Sequence, residues 1–199
     1  MPHLSLTDFV DVVMKAGTPK LTKIRQIKDR PPYNPATDFW RPLRQQIVEA
    51  HQSGRGRSHV GEVVKGLADK KKRTAYPPLI KAYSKWWGRK DYHWFDPPGG
   101  TWRAGAVSVG VNPELGLVLD DQRLVIKLYF KAEKLTKNRV DVILHLMEDT
   151  LRADAPGAVM AVHDIQGGRL IIPSGPVLGI EAMLSGEAAY VESVWRKLR

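Results

Sequence analysis

The chain has 199 residues, 43% of them hydrophobic and 26% charged, with a formal net charge of +10. That composition excludes wholesale disorder and supplies enough apolar mass for one substantial core. With no cysteine, disulfides, thiolate metal sites and cysteine nucleophiles are excluded.

Met1-Pro2-His3-Leu4-Ser5 has neither the basic start nor the apolar run of a secretory signal. No stretch reaches the roughly 18 apolar residues of a membrane span. A cytoplasmic protein with no membrane partner is expected. The charge is unevenly placed. Residues 1–105 carry 20 Lys+Arg against 9 Asp+Glu, a balance of +11; residues 106–199 carry 11 against 12, a balance of −1. Such asymmetry points to a polyanionic partner for the first half, with solubility at high pI as the plain alternative.

A first helix is predicted from Thr7 to Ala16, with Phe9, Val12 and Val13 inward and Gly17 as its stop. Residues 18–36 combine five cations with Pro31, Pro32 and Pro35 and read as an extended basic segment. A second helix starts near Thr37 or Asp38 and runs to His51, burying Phe39, Leu43, Ile47 and Ala50. Ser58 caps a third, bearing Val60, Val63, Val64 and Leu67, which gives way to Lys70-Lys71-Lys72-Arg73. Pro77 and Pro78 suit the first turn of a further helix, with Leu79, Ile80, Tyr83, Trp86 and Trp87 inward and Gly88 as terminator.

Near Trp102 the period changes. Val107, Val109 and Val111 alternate with small residues as a strand, Leu115–Leu119 is a second, and Asp120-Asp121-Gln122 turns into a third, Leu124–Phe130. Arg139–Arg152 is helical, with Val140, Ile143, Leu144, Met147 and Leu151 buried. Val159–Val162 and Leu170–Ile172 form a hairpin across Gly167-Gly168. A final helix aligns Ala188, Val191, Val194, Trp195 and Leu198. The expected fold is α/β: a central mixed sheet of about five strands flanked by helices, with a helical basic N-terminal region. Residues 1–100 and 101–199 are the two regions of one compact unit. Val107, Val109, Leu117, Ile126, Leu128, Phe130, Leu144, Met147, Val159 and Val162 should be buried together.

The cations Lys70, Lys71, Lys72, Arg73, Lys81, Lys85, Arg89 and Lys90, with Arg55 and Arg57 between glycines, are the candidate contacts to DNA or RNA phosphates. Trp86, Trp87, Tyr92 and Trp94 lie among them and are read as core residues or as stacking platforms for bases. The helices flanking residues 70–76 also admit a helix-turn-helix reading, against which their long, proline-bearing connection argues. No glycine loop of nucleotide-binding type is present. The six histidines show no zinc-ligand spacing, His163-Asp164 reads as a hydrogen-bonded turn, and no serine sits in a nucleophile context.

Pro113-Glu114 opens the second strand, and Val125-Ile126-Lys127 lies in the third, with Lys127 on the face opposite Ile126 and Leu128. This spacing, with the helices before it and the helix and strand after it, resembles the restriction-endonuclease-like PD-(D/E)XK superfamily. In that superfamily the first acid and the acid of the tripeptide hold a divalent ion, and the lysine orients or activates the attacking water. The resemblance puts Glu114 in the first acid's place and Lys127 in the lysine's. Val125 stands where the tripeptide acid belongs and cannot bind metal; Glu148 or Asp149 on the next helix is the displaced substitute. Magnesium is implied only if such an acid completes the site. Otherwise no cofactor is expected, and Glu114 and Lys127 form a structural pair.

The expectation is a nucleic-acid-binding protein on a nuclease-like scaffold without robust catalysis. The alternatives are an adaptor docking an acidic protein partner and a metal-dependent nuclease with a displaced acid.

Overall fold

A computed structural model describes residues 1–198. In chain order the elements are β1 His3–Ser5, α1 Leu6–Val13, α2 Gly17–Lys28, α3 Arg41–Gln52, a 3-10 segment Arg57–Gly66 and α4 Lys70–Trp87. Five strands and a helix follow: β2 His93–Phe95, β3 Gly100–Ala104, β4 Val107–Val111, β5 Leu115–Leu119, β6 Gln122–Tyr129 and α5 Lys137–Leu151. The chain ends with β7 Val159–Asp164, β8 Arg169–Ile171 and α6 Ile180–Lys197. No helix among the described residues is long and apolar enough to cross a membrane.

The fold is α/β, with a mixed five-stranded sheet ordered β2-β5-β6-β7-β8 and helices on both faces. Within it β6 and β7 are parallel, joined through α5, and the other neighbours are antiparallel. The β5–β6 hairpin closes through Asp120 and Asp121, whose φ values of 47° and 62° are the left-handed pair a two-residue turn requires. Gly116 lets β2 join the sheet edge: a Cβ there would lie 2.3 Å from the Phe95 carbonyl oxygen.

Pleating divides the side chains of β6 between two cores. Leu124, Ile126, Leu128 and Phe130 face Leu43 and Ile47 of α3 and Tyr76, Leu79 and Tyr83 of α4. Val125 and Tyr129 face α1, α5 and α6, where Phe9, Ile143, Met147 and Leu184 pack. Truncating Leu128, 4% exposed, to alanine should therefore cost about 2–5 kcal/mol in denaturant unfolding. A loss below about 1 kcal/mol would mean that its face of the sheet is not packed.

Several expectations are corrected. Residues 17–28 of the supposedly extended segment are helical: Pro19 sits in the first turn, where a missing N–H costs nothing, and Ile24 and Ile27 are buried. The first helix is capped by Ser5, whose Oγ accepts from the Asp8 N–H, and not by Thr7. The helix capped by Ser58 is a 3-10 segment. Lys70–Arg73 is no gap between helices but the opening of α4, so the helix-turn-helix reading has no structural basis.

Val107–Val111 leaves the central sheet. It pairs in parallel with β1 and antiparallel with β3 in a separate three-stranded sheet, and the short strand β2 takes the edge position instead. The residues expected to share one core accordingly divide. Val107, Val109, Leu144, Met147 and Val162 lie on one side, and Leu117, Ile126, Leu128 and Phe130 on the other. Val159 is half-buried.

Candidate nucleic-acid interface

α4 begins because Asp69 accepts the Lys71 and Lys72 backbone N–H groups, satisfying donors that the first turn leaves free. Its inward row is Tyr76, Leu79, Tyr83 and Trp87, spaced by three and four residues. Pro77 and Pro78 are both exposed, on the face away from the core. Gly88, at φ 61°, terminates the helix.

No acidic residue occurs between Lys70 and Lys90. At 100° per residue, Lys70, Lys81 and Lys85 fall within about 60° of one another on the exposed face, along about 22 Å of helix. Lys71 and Arg73 flank this row, and Arg89 extends it past the C-terminus. All six are exposed, and none pairs with a carboxylate among the described residues.

The other four candidate cations are engaged. Arg57 donates to the Gly88 carbonyl oxygen and Lys90 to that of Trp86 at 2.8 Å, so both compensate the C-terminal end of α4. Arg55 is 3.4 Å from Glu49, and the Lys72 ammonium lies 5.8 Å from the Phe39 ring centroid.

Much of the remaining charge of the N-terminal half is likewise spent inside the molecule. Lys20 meets Glu187 at 2.7 Å, Arg44 meets Asp38 at 2.7 Å, and Arg30 grips both oxygens of Asp8 at 2.8 Å. Arg44–Asp38 and Arg30–Asp8 are already cancelled within the balance of +11, and Lys20–Glu187 takes one further cation from it, so the net positive charge rests on cations without a carboxylate, six of them on or just after α4.

Of the aromatic residues near α4, Trp87 is buried, and Trp86, Tyr92 and Trp94 are half-buried against the same core. Trp87 stacks on His51 with ring centroids 3.6 Å apart, and Trp86 stacks on Tyr92 at 5.3 Å. Trp94 donates its indole N–H to Asp96 at 3.1 Å.

Glu114 and Lys127 are brought together as the strand register predicts, because Glu114 N–H donates to the Ile126 carbonyl just ahead of the β5–β6 ladder. The Lys127 ammonium lies 2.6 Å from Glu114 Oε1 and 3.0 Å from the Asn112 carbonyl oxygen. The second carboxylate oxygen accepts the Leu128 N–H at 2.8 Å. Both oxygens of Glu114 are thus committed to protein donors.

Neither displaced acid approaches the pair. Glu148 is held by Arg152 at 2.5 Å, and Asp149 lines a depression with Trp102, Arg103 and Glu192. An acid that sequence reasoning passed over, Glu49, does line an open groove of about 480 Å³ with Arg44 and Glu114. Its carboxylate faces Arg55 and His59 instead. No group of three metal-ligating side chains occurs among the described residues.

His163-Asp164 divides in two. Asp164 accepts from the Gly167 N–H at 3.0 Å and from Arg169 at 3.2 Å, as a turn residue would. His163 is wholly buried against Tyr83 and Trp86, with neither ring nitrogen bonded. His51 lies in the same cluster, its Nε2 at 2.7 Å from the Tyr83 hydroxyl. Metal-ligand spacing does not mark this pair; the alternation of Ala161 and His163 in β7, continued by Ile165 just after it, is the signal that puts His163 on the buried face.

No family model, curated protein or solved structure matches this chain.

Proposed function

We propose that this protein is cytoplasmic and binds nucleic acid through the outer face of α4, on a scaffold that resembles the restriction-endonuclease-like superfamily but does not catalyse hydrolysis. The observation that carries this reading is the set of six exposed, unpaired cations, Lys70, Lys71, Arg73, Lys81, Lys85 and Arg89, on a segment without acids. Cations so placed neutralise phosphates and release the counterions condensed on them. The scaffold reading is supported by the order helix, antiparallel hairpin, helix and parallel strand around Glu114 and Lys127.

An adaptor for an acidic protein is the weaker reading, because the face lacks the large apolar or aromatic anchors that dominate protein interfaces. Competition separates the two. A labelled oligonucleotide bound to the protein should be displaced by inorganic polyphosphate, and far less by polyglutamate at equal charge. Equal displacement by polyglutamate would favour the adaptor. Hydrolysis of DNA or RNA with magnesium or manganese is not expected, since a metal site needs a second carboxylate that the Glu114–Lys127 pair lacks. Metal-dependent cleavage that vanishes in a folded Lys127→Ala variant would contradict this.

A further inference from the structure

We infer that the nucleic acid held by α4 is double-stranded, gripped by its phosphate backbone and not by its bases; the inference rests on the binding reading above. Single strands owe much of their affinity to bases stacked on protein rings, and duplexes do not expose those base faces. A single-strand site therefore needs aromatic rings with an open face beside its cations. α4 offers none.

Trp86 is stacked on Tyr92 at 5.3 Å, meets the His163 ring in a T-shaped contact with centroids 4.3 Å apart, and carries the Lys90 ammonium 5.8 Å from its centroid. Trp87 is 6% exposed and lies flat on His51, the two rings inclined by 8°. At the opposite end of α4, Trp40 is sandwiched between Tyr76 and Phe130, with both ring pairs inclined by 24°. Among the described residues the exposed aromatic side chains are Tyr33 and Tyr190, and neither belongs to α4. Tyr33 hydrogen-bonds Asp38 at 2.9 Å, and Tyr190 has the Lys20 ammonium 5.6 Å from its centroid.

The cationic row also extends over about 22 Å of a helix that is packed along its inner side. A rigid row suits a regular backbone with one charge per roughly 1.7 Å of duplex axis better than it suits a flexible strand. With no acid or amide on the row, adenine and cytosine edges find no partner there, so the sequence-independent phosphate contacts of the Lys and Arg side chains should dominate binding.

The test uses the full chain with a labelled duplex of about two helical turns and each of its strands alone, at one low salt concentration. The duplex should bind about tenfold or more tighter than either strand, with intrinsic tryptophan emission unchanged at saturation. Substituting Lys70, Lys81 and Lys85 by glutamine should flatten the duplex salt slope by about 2.7, three contacts at about 0.9 each. Single strands binding as tightly as duplex, with quenched tryptophan emission, would overturn the inference while leaving the binding reading intact. Binding to neither would overturn both.

Discussion

Between about pH 6.5 and pH 4 the protein should lose on the order of 6 kcal/mol of stability, enough to unfold a typical small domain. The cause is the His51–His163 cluster. His51 is 3% exposed and His163 is 0% exposed. Burial lowers the pKa of each from 6.5 to about 3, and for His51 the neighbouring His163 adds to the effect. The groups facing them from α4 and the following loop are Tyr83 and Tyr92, whose phenols burial keeps neutral.

Both imidazoles are therefore neutral in the fold and protonate readily once unfolded. Below pH 6.5 the unfolded chain binds more protons, so stability is complete above that pH and falls as pH drops towards about 3. Each site loses about 3 kcal/mol by pH 4. His163→Leu removes one titration and two unbonded buried nitrogens. The variant should unfold at distinctly lower pH, and at pH 7 it should be at least as stable as the parent. Acid titration followed by circular dichroism decides the point: an unchanged unfolding midpoint in a folded His163→Leu variant would show that this histidine does not govern acid stability.

Asp11→Ala should cost about 3–5 kcal/mol at neutral pH, because the substitution leaves the partly buried Arg139 without a carboxylate and leaves Lys23 and Lys131 only the longer contacts to Asp8 at 3.6 Å and Glu133 at 3.8 Å. The Asp11 carboxylate, 5% exposed, meets Lys131, Arg139 at 2.7 Å and Lys23 at 3.0 Å. These groups come from α2, the segment after β6, and α5, so one carboxylate ties three separate parts of the chain to α1. Burial alone would raise its pKa, but hydrogen bonds from Lys131, Arg139 and Lys23 outweigh burial and bring it from 3.8 to about 2.

That stability is present above 3.8 and is lost as pH falls through about 2, below most of the histidine window. Urea unfolding of Asp11→Ala, Arg139→Ala and the double variant measures the coupling. Purely additive losses would mean that the pair is not a stabilising contact.

Residues on long, strongly periodic elements were legible in the sequence. Val140, Ile143, Leu144, Met147 and Leu151 all lie buried on α5, and the two faces of β6 separate as the pleat requires. The Glu114–Lys127 contact was legible for the same reason, since hairpin register alone brings the two residues together.

What was not legible depends on tertiary context. α2 buries only Ile24 and Ile27; much of its hold comes from Lys20, Lys23 and Lys28 reaching partners far away in sequence, a signal that local patterns do not contain. Pro77 and Pro78 looked like a helix start because proline belongs in a first turn, yet α4 runs through them. Strands of three residues such as β1 and β2 are too short for alternation to mark, whereas β8 was legible through the Gly167-Gly168 turn that precedes it. Composition also could not distinguish cations that pair internally from those left on α4. Of the ten candidate cations, Arg55, Arg57, Lys72 and Lys90 have partners within the protein.

The proposed binding surface is the set of free cations on α4. Its most direct test is the salt dependence of duplex binding, measured by fluorescence anisotropy for the parent and for a variant with Lys70, Lys71, Arg73, Lys81, Lys85 and Arg89 changed to glutamine. The parent should show a slope of log K against log salt of about −4 to −5, as four to six phosphate contacts require. The variant should keep its fold, bind weakly and show a slope near zero. A folded variant with the parent's affinity and slope would contradict the account.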